Sequence, residues 1–364
     1  MIHNFIYYTP TKVVFGKGTE QETGKLVREQ GCQRVLIVYG GGSVVRSGLL
    51  DRVKTVLAEA EVTFSEIGGI VPNPHLSKVY DGIALAKKID AQLILAVGGG
   101  SVIDTAKAIG YGVANEGDVW DFYDFKRQPT ACLPIGVILT IAATGSEMSD
   151  SSVITKEEGG LKRACNTNLA RPAFAVMNPE LTETLPAYQT ACGCSDIIMH
   201  TLERYFTNGD KMAITDAIAK AIIQTAMEQA LILRDNPKDY TARAEVLWTG
   251  SLSHNGLTGC GNTNNDFASH RLEHEIGGMF DVAHGAGLTA IWGSWARYVY
   301  KDCLPRFHKF AVDVMKIADQ GTAEEVALKG IAAMEAFFVS INMPVNLHQL
   351  GINPTEEQLK ILAH

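Results

Sequence analysis

The chain has 364 residues, 46% hydrophobic and 20% charged, which is material for two domains or one large one with an ample core. A net charge of −8 argues against nucleic acid or an anionic membrane as a main partner. The opening MIHNFIYYTPTKVVFG has neither a basic n-region nor an apolar h-region, the apolar runs at 93–97 and 133–143 are too short to span a bilayer, and seven scattered cysteines read as reduced thiols, so a cytoplasmic location is expected.

The β-branched run 34–39 (RVLIVY) predicts a buried strand, 40–43 (GGGS) a turn, and residues 44 to about 60 one amphipathic helix. A strand is expected at 62–66, a helix at 76–89, a second fully buried strand at 91–97, and a turn at 98–101 (GGGS) leading into a helix through Ile109. Residues 132–140 and 173–177 predict further strands, and 151–165 a hairpin turning at Glu158-Gly159-Gly160. Strands of this kind, interleaved with helices, predict a mostly parallel, doubly wound α/β sheet. Beyond Pro179 and Pro186 strand signals nearly vanish, and helices are predicted at 188–207, 213–234, 239–254, 268–280, 285–300 and 322–341. The expected boundary is near 187: an α/β domain over 1–187, then an all-helical domain over 188–364. There is no internal repeat and no low-complexity segment.

Strand, Gly98-Gly99-Gly100-Ser101, helix is the arrangement that binds a pyrophosphate, because glycines let backbone N–H groups approach the anion and the following helix presents its positive end. A second strand, Gly40-Gly41-Gly42-Ser43, helix unit can line the same crevice. Enzymes that prefer the ribose 2′-hydroxyl usually offer it Asp or Glu. Residues 40–43 offer no carboxylate and Arg46 stands close behind, which favours NADP(H) over NAD(H).

In the helical half, Asp196 and His200 stand four apart, as do His270 and His274, so each pair shares one helix face. His284 follows at the head of a His-Gly-Ala-Gly turn. Three imidazoles and a carboxylate give a divalent ion four N/O ligands, a mixture that Zn2+ and Fe2+ both accept. Spacing alone does not choose four ligands among these five residues. His3, His75, His254, His308, His348 and His364 have no spaced partners and read as capped or surface residues. A metal site and a phosphate cradle in one chain suggest redox chemistry on a small oxygenated substrate.

These motifs together resemble the iron-containing (group III) alcohol dehydrogenases, especially the NADPH-dependent butanol dehydrogenase-like branch, over essentially the whole chain. The resemblance rests on Lys12-Val13-Val14-Phe15-Gly16, Tyr39-Gly40-Gly41-Gly42-Ser43-Val44, Val71-Pro72-Asn73-Pro74 and Gly98-Gly99-Gly100-Ser101-Val102-Ile103-Asp104. Its more specific parts are Gly193-x2-Asp196-x3-His200-x2-Glu203 and the His270, His274, His284 run. It implies a Rossmann-like amino-terminal domain, a helical carboxy-terminal domain and a site in the cleft between. It also implies metal-dependent hydride transfer between NADP(H) and a small primary alcohol or aldehyde. Asp196, His200, His270 and His284 would be ligands of Fe2+, with Zn2+ also accepted. His274 would stand near the nicotinamide and relay a proton. Gly41, Gly42, Ser43, Asn73, Gly99, Gly100, Ser101, Thr140, Thr144 and Lys162 would hold the cofactor. A homodimer is implied as well, and residues 6–15 have a strand-like character suited to pairing across it.

Two departures stand out. Residues 140–147 (TIAATGSE) replace the family's run of Pro, Thr, Thr and small residues, so Ile141 forfeits a hydroxyl. The chain also ends at Ile361-Leu362-Ala363-His364, shorter than typical members, and a final helix is expected to be missing. Among rival readings, a zinc polyol (glycerol-type) dehydrogenase shares the fold but uses fewer protein ligands. A dehydroquinate synthase-like lyase needs a cluster of bases, whereas the helical half scatters Arg204, Lys211 and Arg271. A non-catalytic nucleotide-binding or metal-storing module would have no use for a histidine beside a saturated site. Pocket walls are expected near 150–152, 255–261 and Phe280, with 262–266 (NTNND) a solvated loop.

Overall fold

The computed structural model describes residues 2–207, 212–262 and 267–362; Lys211, residues 263–266 and His364 from the sequence reading lie outside the described residues. The chain forms two compact units, Tyr8–Thr184, and Leu185–His364 together with Met1–Tyr7.

The first unit is built on a six-stranded parallel sheet, Rossmann-like in kind. The strands are β1 (Lys12–Phe15), β2 (Arg34–Gly40), β3 (Thr63–Ile70), β4 (Leu93–Gly98), β5 (Ile135–Leu139) and β8 (Phe174–Met177), in the order β1-β8-β5-β4-β2-β3. Strands β4, β5 and β8 are buried at every residue, as continuous apolar runs in a helix-covered parallel sheet should be. The chain steps from β2 out to the β3 edge and then returns past β2 to β4. The topological switch point therefore lies between β2 and β4, whose carboxyl ends carry both glycine loops, and the crevice outside such a point is where open α/β sheets bind ligands.

A single helix was expected after β2, but two occur: α2 (Ser43–Arg46) and α3 (Leu49–Glu59). The break falls at Gly48, whose φ of +70° is left-handed and cannot continue a helix. The break lets α3 seat Leu49, Leu50, Val53 and Leu57 against Val35, Ile37, Leu93 and Leu95. Helix α1 (Thr23–Glu29) precedes β2, α4 (Leu76–Lys88) leads into β4, α5 (Gly100–Ala114) starts inside the second glycine loop, and α6 (Trp120–Tyr123) precedes β5. The hairpin β6 (Ser151–Lys156) and β7 (Leu161–Asn166) turns where the sequence predicts. Thr155 of β6 pairs with Lys162 on one side and with His75 on the other, and its N–H donates to Pro74 O at 2.8 Å.

The second unit is helical. Helix α7 (Ala187–Tyr205) packs on α8 (Ala213–Asp235), α9 (Tyr240–His254) and α11 (His284–Val299), and α10 (Ala268–Phe280) packs on α11. Helices α12 (Leu304–Lys309), α13 (Ala323–Ser340) and α14 (Glu356–Leu362) complete it, α13 opening on a Thr322/Glu325 capping box. The His3 N–H donates to Gly261 O at 3.1 Å, which ties the amino-terminal residues to this unit. Among the described residues, no helix is long and apolar enough to cross a membrane.

Candidate metal centre and dinucleotide cradle

Helix α7 presents Asp196 and His200 on one face, with His200 Nδ1 3.2 Å from Asp196 Oδ1. Helix α10 brings His270 and α11 brings His284, each with Nε2 3.6 Å from the same carboxylate oxygen. Asp196, His200 and His270 are almost completely buried, at 2%, 5% and 5% exposure, which makes any unsatisfied polar atom among them costly. Yet Asp196 Oδ1, His200 Nδ1 and His270 Nε2 make no hydrogen bond. Two ligands each about 2.0–2.2 Å from a tetrahedral ion lie roughly 3.3–3.6 Å apart. The observed separations match that spacing, so orphaned atoms and donor chemistry both fit a divalent cation.

The fit is tightest for three of the four residues expected as ligands. Asp196, His270 and His284 offer atoms all within 4.8 Å of one another, whereas His200 reaches that group through Asp196 and through the His270 ring at 4.4 Å between centroids. A second, overlapping group joins Glu273, His274 and His284. His274 sits one turn after His270, with its ring 5.8 Å from that of His284. His284 heads not a free turn but the first turn of α11. A Cβ on Gly285 would lie 2.2 Å from Cys192 O, so the glycine lets α11 approach the α7 backbone closely.

Electrostatics separates the imidazoles. Burial, reinforced by His254 and His270, holds His200 well below the ordinary imidazole range, which suits a neutral donor. For His270 burial acts in the same direction, but the neighbouring carboxylates of Asp196 and Glu203 outweigh it and raise it to about 9. Sequence spacing assigned no role to three neighbours. Glu203 accepts from His270 Nδ1 at 2.9 Å, Glu273 is hydrogen-bonded to His284 Nδ1, and the His254 ring lies 4.0 Å from that of His200. Glu203, at the end of the α7 motif, carried a signal, since it follows His200 by one turn. His254 carried none.

In the α/β unit the residues expected to hold the cofactor fall into three places. Gly41, Gly42 and Ser43 lie at the end of β2, and Gly99, Gly100 and Ser101 at the end of β4. Thr140 and Thr144 follow β5, where Thr140 N–H donates to Gly98 O at 3.1 Å. Because β2, β4 and β5 are neighbours in the sheet, these three segments lie side by side. Asn73 holds a left-handed φ of 53°, and neighbouring Pro74 accepts from the strand residue that pairs with Lys162. Lys162 is not the solvated turn residue that its place after a hairpin allows; it is 8% exposed. Ile141, the departure from the usual threonine, packs so closely that a Cβ on Gly99 would lie 2.1 Å from its Cγ2.

Beneath these loops runs a buried polar network. Lys107 of α5 is fully buried, and its Nζ donates to Ser146 Oγ at 2.9 Å, Ser149 O at 3.0 Å and Ser151 O at 2.7 Å. Ser146 Oγ donates to Asp104 Oδ1 at 2.6 Å, and Asp104 Oδ2 accepts from Val153 N–H at 3.0 Å. Burial lowers Lys107 to about 8 and raises Asp104. The network fastens the segment bearing Thr144 and the first strand of the hairpin to α5.

Residues 10–179 match the family model described as iron-containing alcohol dehydrogenase, and residues 190–364 match the model for the carboxy-terminal part of the Fe-containing alcohol dehydrogenase family. A probable NADH-dependent butanol dehydrogenase 2 of Bacillus subtilis is 39% identical over 363 residues, covering 100% of this chain and 92% of that protein. The NADPH-dependent aldehyde reductase YqhD of Escherichia coli is 33% identical over 356 residues, covering 97% and 90%. Among solved structures, NADH-dependent butanol dehydrogenase A from Thermotoga maritima superposes with a TM-score of 0.96 at 38% identity, covering 99% of this chain and 89% of that one.

Proposed function

Because the chain belongs to the iron-containing alcohol dehydrogenase family, we propose that it interconverts a small primary alcohol and its aldehyde with NADP(H) as hydride carrier and Fe2+ as the resident ion, a site that also accepts Zn2+. The observation that carries this reading is the set of buried, orphaned atoms on Asp196, His200 and His270 at ligand spacing. When bound, the ion supplies Lewis acidity at the substrate oxygen and the nicotinamide supplies or takes the hydride.

Asp196, His200, His270 and His284 hold the ion. His274, half-buried on the same helix as His270, moves the proton at the substrate oxygen, a task to which an imidazole is suited near neutral pH. Gly41, Gly42, Ser43, Gly99, Gly100 and Ser101 bind the pyrophosphate through backbone N–H groups. Asn73, Thr140 and Thr144 orient the ribose and nicotinamide, and Lys162 pairs with a phosphate or ribose oxygen. Residues 1–187 act as the dinucleotide-binding domain and 188–364 as the metal-binding domain.

The preference for NADP(H) rests on the uncharged loop 40–43 and on Arg46, whose Nη1 lies 3.1 Å from where a Cβ on Gly42 would stand. A carboxylate in that loop would repel a 2′-phosphate, and a guanidinium attracts it. Relatives are named for both carriers, NADH in the butanol dehydrogenases and NADPH in YqhD. A cytoplasmic homodimer completes the reading. It is supported by seven free thiols and by an exposed apolar amino-terminal stretch, with Phe5 52%, Ile6 96% and Tyr8 52% exposed. Butanal-dependent oxidation of NADPH and of NADH by the purified protein tests the reading. A higher kcat/KM with NADPH is expected, and no oxidation with any metal-loaded form would refute it.

A further inference from the structure

Two groups of candidate ligands overlap at His284, Asp196 with His270 and His284, and Glu273 with His274 and His284. We infer that only the first binds the ion, and that Glu203 and Glu273 are paired positioning residues that fix the tautomer and direction of His270 and His284; this rests on the metal reading above.

A neutral imidazole has one N–H and one lone pair, and an ionised carboxylate only accepts hydrogen bonds. His284 Nδ1 is hydrogen-bonded to Glu273 Oε2, while its Nε2 stands 3.6 Å from Asp196 Oδ1. The proton therefore sits on Nδ1, facing Glu273, and the lone pair on Nε2, facing Asp196. His270 repeats the arrangement, with Nδ1 2.9 Å from Glu203 Oε1 and Nε2 3.6 Å from the same Asp196 oxygen. Both rings thus aim a lone pair at one point, and at His270 that buried nitrogen makes no hydrogen bond. Glu273 Oε2 is already engaged by the His284 Nδ1–H, which makes this carboxylate the acceptor that orients the ring.

The surrounding structure is shaped for this pairing. Glu203 lies three residues after His200 and seven after Asp196, which puts all three on one face of α7. Its Oε1 also accepts the His270 backbone N–H at 2.9 Å. The N-cap of helix α10 is Phe267, with a φ of 51° and no side-chain cap, so this carboxylate satisfies an otherwise unpaired donor of the first turn and anchors the helix that bears His270. Glu273 is 0% exposed, and its approach depends on Gly287, where a Cβ would lie 2.8 Å from Glu273 Cγ. Burying two extra carboxylates beside Asp196 is unfavourable unless donors and a cation offset it, and both are at hand if the ion sits between the rings.

The test uses the full chain, stripped of metal and loaded with Co2+. Its affinity is measured by chelator competition and its visible ligand-field spectrum is recorded for wild type, Glu273→Gln, Glu273→Ala, Glu203→Gln and Glu203→Ala. The alanine variants should lose roughly 10- to 100-fold in Co2+ affinity, whereas the glutamine variants, whose amide oxygen still accepts from Nδ1–H, should stay within about fivefold and keep the wild-type spectrum. Thermal unfolding of the metal-free forms separates loss of fold from loss of site; if Glu203→Ala does not fold, the Glu273 pair decides. Wild-type affinity in Glu273→Ala, or an altered spectrum and equal loss in Glu273→Gln and Glu273→Ala, would overturn the inference. Aldehyde reduction is a separate readout. Co2+ binding that follows the expected pattern, with no reduction by the Fe2+-, Zn2+- or Co2+-loaded protein, refutes the reductase reading and leaves this one standing, and the converse holds.

Discussion

Replacing Lys107 with Met keeps the length and apolar stem of the side chain and deletes its ammonium, which is the hub of the network under the cofactor loops. The fully buried Nζ is within hydrogen-bond reach of two hydroxyls and two carbonyls that lie 39 to 44 residues away in sequence, and through Ser146 it faces the carboxylate of Asp104. Removing one partner of a buried charge pair costs about 3–5 kcal/mol, because the other charge is left uncompensated. At about 2–4 °C per kcal/mol for a unit of this size, Lys107→Met should lower Tm by about 10 °C. Scanning calorimetry and urea unfolding measure this directly. The Lys107→Met, Asp104→Asn double variant should be less impaired than the sum of the single variants, with a coupling of about 1–3 kcal/mol. The KM for the dinucleotide should rise more than kcat falls, and metal affinity should not change, because the ligands belong to the helical unit. A loss below about 1 kcal/mol, or strict additivity in the cycle, would show that Lys107 and Asp104 are not coupled as a buried charge pair.

Three further outcomes follow from the same geometry. His270→Ala should lose the ion, whereas His274→Ala should keep it and lose turnover; elemental analysis with kcat distinguishes these, and the opposite pattern would reverse the two roles. Gly100→Ala should destabilise the fold by about 1–3 kcal/mol and weaken dinucleotide binding, because the new Cβ would lie 2.5 Å from Thr144 Oγ1 and 2.6 Å from its Cγ2, so rotating the threonine gives no relief. With Lys107 lowered from 10.5 to about 8, the unfolded chain holds more protons than the folded one between those values. Wild-type stability should therefore gain on Lys107→Met as pH rises through that window, and a constant difference in unfolding free energy would contradict the assignment.

The parallel sheet was legible because buried strands such as β4 are unbroken apolar runs and the helices between them keep their periodicity. The break at Gly48 was less so: the apolar pattern of α3 continues across it, and only the glycine itself marks the left-handed turn. The i,i+4 frames of Asp196 with His200 and of His270 with His274 were readable because helix geometry is local. Glu273 and His254 were not. Glu273 gains its place from the close approach of α10 and α11 at Gly287, and His254 from the packing of α9 on α7, and neither leaves a spacing in the sequence. The Lys107 network was hidden for the same reason, since its acceptors come from a segment some forty residues downstream.

Carbonyl reduction by a nicotinamide carrier should require an ion held by Asp196, His200, His270 and His284. Protein purified without oxygen, stripped with a chelator and titrated with Fe2+ while butanal-dependent NADPH oxidation is followed tests it most directly. Activity should be absent at the start and rise in proportion to bound ion, with Zn2+ as the comparison. Full activity in the stripped protein, or an ion that binds without any gain in turnover, would contradict it.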